Sequence, residues 1–93
     1  MTDQELLIEC KKNLGIPADA EETAFDPVLL QKILIVKSYM KGAGVSETML
    51  EDALSVGVIV LGVTDLWNIV GGETKFSPAF GMLLEQLVVR SLP

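Results

Sequence analysis

One stretch, Ser46 to Val70, constrains the fold more than any other part of the chain. It contains no proline and is strongly apolar, reading SETMLEDALSVGVIVLGVTDLWNIV. Its middle, residues 56–63, is rich in β-branched side chains, which favour strands. The length of the run and its flanks favour a helix instead, because Ser46 is a good N-cap and three acidic residues follow in the first turns. We therefore predict one long helix over 46–70.

A helix that is apolar over most of its circumference has to be covered nearly all round. A chain of 93 residues has few other elements to cover it, yet 49% of its residues are hydrophobic and its mean hydropathy is +0.44. Small domains bury a smaller share of their surface than large ones. We expect one domain, residues 1–93, with apolar surface exposed for association; the alternative is an unusually full core.

Cap signals mark the other helices. Thr2 followed by Glu5 fits a capping box, and the sequences Asp26-Pro27 and Ser77-Pro78 each pair an N-cap with a proline at the first helical position. Glycines follow the first three predicted helices. The predicted fold is all-α, a compact bundle of four helices over 3–14, 27–41, 46–70 and 77–91, the third being long and apolar.

Composition argues against several functions. The net charge is −6, whereas a protein that reads DNA sequence needs a basic face. The chain has no histidine, so no imidazole can activate its single cysteine, Cys10. No residues have metal-ligand spacing, and the glycine pairs at 42–44 and 71–72 lack the rest of a phosphate-binding loop. We expect no cofactor, no metal and no enzymatic activity.

Asp65 is the one acid inside an apolar stretch. One interpretation is a carboxylate with a perturbed pKa at a functional site. The other, which we favour, is a residue that lies on the polar face of the helix or is hydrogen-bonded across a subunit contact. Residues 53–70 also have roughly the length of a membrane span, but an aspartate in lipid is costly, so we expect no membrane insertion.

The second half of the chain carries a recognisable string of residues around a glycine turn. Its members are Asp65, Leu66, Trp67, Asn68, Ser77, Pro78, Ala79, Phe80, Met82, Leu83, Leu84 and Leu87. The string resembles the small head–tail connector proteins of tailed phages and prophages, also called head completion or DNA-packaging adaptor proteins. In that family a long apolar helix often ends in a D-L-[YW]-N-like segment, and a loop leads to S-P-A-F-x-M-L-L-x-Q-L. The first half fits the family more loosely.

The resemblance implies a structural protein that forms a homo-oligomeric ring under the portal and completes the head after DNA packaging. Its partners would be the portal protein and the tail-side completion proteins, with DNA only as the passing genome. It would occupy the host cytoplasm during assembly and then the virion neck. The alternative function is another oligomeric helical adaptor or a regulatory interaction module.

Three residues are candidates for an oligomer or portal interface: Val58, Trp67 and Phe76. Large aromatic side chains tend to carry interface energy, and Phe76 lies in the loop beside the Ser77 cap. The alternative is that the aromatic residues, Phe80 among them, pack inside one subunit.

Overall fold

Every secondary-structure element that the computed structural model describes is helical. The described residues are 2–16, 24–68 and 76–92. They form helices α1 (Asp3–Leu14), α2 (Asp26–Ala43), α3 (Glu47–Glu51), a 3₁₀ turn (Ala53–Ser55), α4 (Val56–Trp67) and α5 (Pro78–Arg90). The prediction of an all-α fold is confirmed, but the described part has five α-helices where four were expected.

The predicted bounds of α1 are confirmed, and so is its capping box. Thr2 Oγ1 accepts a hydrogen bond from the Glu5 amide at 3.2 Å, while the Thr2 amide donates to Glu5 Oε1 at 3.2 Å. At the other end Gly15 adopts φ 73°, a left-handed conformation that glycine enters without a steric penalty. Both ends of α1 are therefore determined by local sequence.

Helix α2 is longer at both ends than the predicted 27–41. Asp26 is the first helical residue and not the N-cap. Its carboxylate pairs with the Lys11 ammonium at 2.5 Å, which ties α2 to α1. The N-cap is Phe25, which makes no side-chain capping bond. Gly42 lies inside the helix, and the helix ends at Gly44, where φ reaches 113°.

The single helix predicted over 46–70 is wrong, since the chain breaks at Asp52. Ser46 caps the short α3 as expected, accepting from the Met49 amide at 3.1 Å. Asp52 then adopts an extended conformation, ψ 147°, and its Oδ1 accepts from the Leu54 amide at 2.9 Å. The buried Ser55 hydroxyl donates to the carbonyls of Leu50 and Asp52, so the break leaves these groups hydrogen-bonded.

The β-branched run at residues 56–63 is helical and lies in α4, a helix of twelve residues. Residues 69 and 70, the end of the predicted long helix, lie outside the described residues. Among the residues that are described, no helix combines the length and apolarity needed to cross a membrane.

Helix α4 is the centre of the fold, because it packs against α1, α2 and α5. Its buried side is complemented by residues from every other long helix. The core residues are Leu6, Leu7, Cys10, Leu29, Ile33, Val36, Met40, Val45, Leu50, Val58, Ile59, Val63, Leu66, Phe80, Leu84 and Leu87. The most apolar helix is thus covered largely by its own chain. The apolar side chains that remain exposed lie mainly on α2 and α5.

Candidate interaction surface

Asp65 joins the end of α4 to the start of α5. Its Oδ2 accepts hydrogen bonds from the amide and the hydroxyl of Ser77, at 2.9 and 2.8 Å. Ser77 in turn caps α5, its hydroxyl accepting from the Phe80 amide at 3.3 Å. Asp65 is therefore hydrogen-bonded within its own chain, and this accounts for an acid in an otherwise apolar segment.

No local sequence rule predicts this link, because Asp65 and Ser77 are twelve residues apart. The Ser-Pro pair identifies the cap of α5 but says nothing of a second polar group behind it. The signal that does point to it is the recognisable string itself, which contains both residues.

An aromatic cluster holds α5 against α2. Phe76 stacks on Phe80 with ring centroids 4.3 Å apart, and Tyr39 of α2 lies 4.8 Å from Phe76 and 6.1 Å from Phe80. Phe80 is fully buried, Phe76 half-buried and Tyr39 exposed. The cluster therefore begins in the core and ends at the surface.

The residues of the recognisable string divide between core and surface. Leu66, Phe80, Leu84 and Leu87 are buried, whereas Asn68, Pro78, Ala79, Met82 and Leu83 are exposed. Trp67 is half-buried and packs edge-on against Phe25, with ring centroids 5.5 Å apart. The string thus builds the α4–α5 junction, and Met82 and Leu83 are its large apolar members on the surface.

The three candidate interface residues have different environments. Val58 is only 4% exposed and contacts the core of its own chain, so little of its side chain is open to another subunit. Trp67 and Phe76 are half-buried against Phe25 and Phe80. A contact between subunits through these two aromatics stays a prediction, and their packing gives each of them a role inside the chain as well.

Two rows of side chains at the surface, all exposed except the half-buried Lys32, were not predicted from the sequence. The outer row of α5 consists of Met82, Glu85 and Val89, which point away from the buried Phe80, Leu84 and Leu87. The side row of α2 consists of Val28, Lys32, Ile35 and Tyr39, spaced by four, three and four residues and therefore on one helix face. Met82 and Val89 are 67% and 66% exposed, and Val28 and Ile35 are 44% and 47% exposed.

A groove of about 450 Å³ adjoins the side row of α2 where α5 passes it. It is lined mainly by apolar side chains of the two helices: Ile35, Tyr39, Phe76, Ser77, Phe80, Gly81 and Leu84. A Cβ built on Gly81 would meet nothing within 4 Å, so the space above α5 is open at this point.

Charges on the two rows are unpaired within the part of the chain that is described. Lys11, Lys37 and Lys41 form ion pairs with Asp26, Asp3 and Glu47, and Lys12 approaches Glu9. Lys32 and Glu85 have no ion-pair partner among residues 2–16, 24–68 and 76–92. Each row therefore carries one charge flanked by exposed apolar side chains.

Cys10 is buried in the core, and burial raises the pKa of its thiol to about 11. The thiolate is the reactive form of cysteine, so this thiol is suited to packing and not to nucleophilic chemistry. Over the described ranges, no three His, Cys, Asp or Glu side chains come together in a way that could hold a metal ion.

The chain was compared with protein-family models, with curated proteins and with solved structures, and none of the three comparisons finds a match.

Proposed function

We propose that the protein is a head–tail connector subunit of a tailed phage or prophage, which forms a ring under the portal and completes the head after DNA packaging. In this role it acts by shape and assembly and catalyses no reaction. Its partners are copies of itself, the portal protein and the tail-side completion proteins. It assembles in the host cytoplasm and ends in the virion neck.

The observation that carries the proposal is the structural unity of the string that resembles this family. Its two halves lie on different helices, yet the hydrogen bonds from Ser77 to Asp65 join them, and Phe80 and Leu84 pack into the same core as Leu66. The residues of the string thus form one hydrogen-bonded and packed unit of the fold, as a shared structural role would require.

The exposed apolar side chains support an assembling subunit. Met82 and Val89 lie seven residues apart, on one face of α5, and each is about two-thirds exposed, as is Leu92. The charge of −6 suits a conduit as well, because an acidic wall repels phosphate and lets DNA pass without being bound.

The test is binding to the portal protein encoded near this chain, with an unrelated portal as the control. Electron microscopy of the mixture is expected to show a ring of added density on the matched portal alone. A monomer in solution agrees with the proposal, since weak contacts repeated around a closed ring suffice once a template fixes their geometry. Failure to bind the matched portal contradicts it, and a stable dimer that also ignores the portal favours an adaptor or regulatory module.

A further inference from the structure

We infer that neighbouring copies of this chain associate head to tail, the outer row of α5 in one copy lying antiparallel on the side row of α2 in the next. The inference deepens the proposed function by naming the contact between subunits, and it rests on that function for its biological setting. It is carried by the spacing, the exposure and the charge of the two rows.

The spacings of the two rows match when the helices run antiparallel. Along α5 the row advances by three and then four residues, from Met82 to Glu85 to Val89. Along α2 the side row read backwards from Ile35 also steps by three and then four residues, reaching Lys32 and then Val28. Both steps keep side chains on one face of a helix, so three pairs meet in register.

The three pairs are chemically complementary. Met82 meets Ile35 and Val89 meets Val28, two apolar pairs whose members are between 44% and 67% exposed in the single chain. Glu85 meets Lys32 between them, and neither charge has an ion-pair partner within residues 2–16, 24–68 and 76–92. One contact thus covers four apolar side chains and pairs two charges of opposite sign.

The geometry predicts a ring or a filament and not a symmetric dimer. The contact joins two different surfaces, so each copy keeps one free row for another neighbour, and such head-to-tail contacts produce rings or filaments. Two helix faces of about two turns bury less than the roughly 800 Å² per partner of a standard stable interface. A single contact is therefore weak, and repetition or a template is needed to hold many of them together.

A second arrangement competes for the same row. Two α5 helices related by a two-fold axis would place Glu85 opposite the exposed Arg90 of the other copy. That arrangement leaves the side row of α2 and its Lys32 uncovered, so we favour the head-to-tail contact. The two arrangements give opposite results in cross-linking.

Cross-linking tests the register directly. Chains carrying Val28→Cys are mixed with chains carrying Val89→Cys and treated with a short bismaleimide; the buried Cys10 stays silent. A covalent heterodimer is expected in the mixture and no homodimer from either chain alone. The control replaces Val28→Cys by Thr48→Cys, an exposed position on neither row, and is expected to give no product. Homodimers of Val89→Cys alone, or no product in the mixture, overturn the inference.

Charge reversal tests the central pair. Self-association is followed here by the initial rate of the 28–89 cross-link, which also reports weak contacts. Glu85→Lys and Lys32→Glu are each expected to lower this rate about tenfold, and the double reversal is expected to restore it to within about threefold. Glu9→Lys makes the same change in net charge on α1 and is expected to leave self-association unchanged. A double reversal no better than the single ones, or an equal effect of Glu9→Lys, contradicts the assigned pair.

The outcomes separate this contact from the proposed function. Portal binding by chains that give no product between positions 28 and 89 would remove the contact and leave the connector function standing. Cross-linked chains that never bind the matched portal would support the contact and remove the connector function.

Discussion

Replacing Gly62 by alanine tests how closely α4 approaches its neighbours. A Cβ at this position would lie 2.7 Å from Phe80 Cε2 and 2.9 Å from Val36 Cγ1, well inside ordinary van der Waals contact. Neither partner can move away freely, because both are fully buried and Phe80 is stacked on Phe76 at 4.3 Å. We therefore expect Gly62→Ala to destabilise the protein.

The size of the effect follows from two opposing terms. Alanine in place of glycine inside a helix contributes about 1 kcal/mol of stability. Overpacking a filled core costs about 1–3 kcal/mol, and two contacts below 3.0 Å on buried partners put Gly62 in the upper part of that range. The net loss should be about 1–2 kcal/mol, or roughly 4–16 °C in melting temperature for a domain of this size.

Gly57 of the same helix provides the matched control. A Cβ there would meet nothing within 4 Å, so Gly57→Ala is expected to raise stability through helix propensity alone, by about 0.5–1 kcal/mol, with the lower end favoured because Gly57 lies in the first turn of α4. Urea unfolding followed by far-UV circular dichroism and by Trp67 fluorescence measures both variants. Phe80→Leu gives the added Cβ more room. The double variant Gly62→Ala/Phe80→Leu should therefore lose about 1 kcal/mol less stability than the sum of the losses in the two single variants. If Gly62→Ala proves as stable as Gly57→Ala, α4 does not approach Phe80 and Val36 as closely at Gly62 as the structure shows.

Three further predictions concern polar and ionisable groups. Asp65→Ala removes both hydrogen bonds from Ser77, and Ser77→Ala removes the hydroxyl one together with the cap on the Phe80 amide. Each should cost about 1–2 kcal/mol in urea unfolding, and the double variant should cost less than their sum, because the hydroxyl bond is lost in both. Hydrogen bonds from Thr2 hold the pKa of Glu5 below its ordinary 4.5. This carboxylate therefore stabilises the fold above pH 4.5 and loses that effect as the pH falls through its folded pKa. In Glu5→Gln, the urea midpoint should depend less on pH over this range. Burial raises the pKa of Cys10 from 9.0 to about 11, so its stabilising effect is present below pH 9.0 and is lost as the pH rises towards 11; a thiol reagent should react with it slowly in the native state and rapidly in urea.

The sequence predicts elements whose signals are local. The bounds of α1 follow from its capping box and its terminal glycine, and the start of α5 follows from the Ser77 cap and Pro78. The all-α class follows from the helical spacing of apolar residues. Each of these signals acts within a few residues, so no knowledge of the tertiary structure is needed.

The break at Asp52 illustrates a local signal that has two meanings. An aspartate in the first turns of a helix stabilises it, and an aspartate outside a helix caps the next one. The burial of Ser55, which depends on the tertiary structure, favours the break, because the local hydrogen bonds to the Leu50 and Asp52 carbonyls satisfy its hydroxyl there. Long-range pairs such as Asp65 with Ser77, and the alignment of the exposed rows, lie beyond any rule based on spacing along the chain.

The aromatic cluster gives a final prediction about folding and association. Phe80 is fully buried, so Phe80→Ala should cost about 3–5 kcal/mol. Phe76 is half-buried and stacked on Phe80, so Phe76→Ala should lower stability too, by about 1–2 kcal/mol given its smaller buried area. Thermal melts combined with sedimentation separate this effect from assembly. Phe76→Leu keeps most of the apolar packing inside the chain. It should still weaken association if Phe76 also contacts a neighbouring subunit. If association stays at the wild-type level, Phe76 acts within its own chain and the subunit contact lies elsewhere.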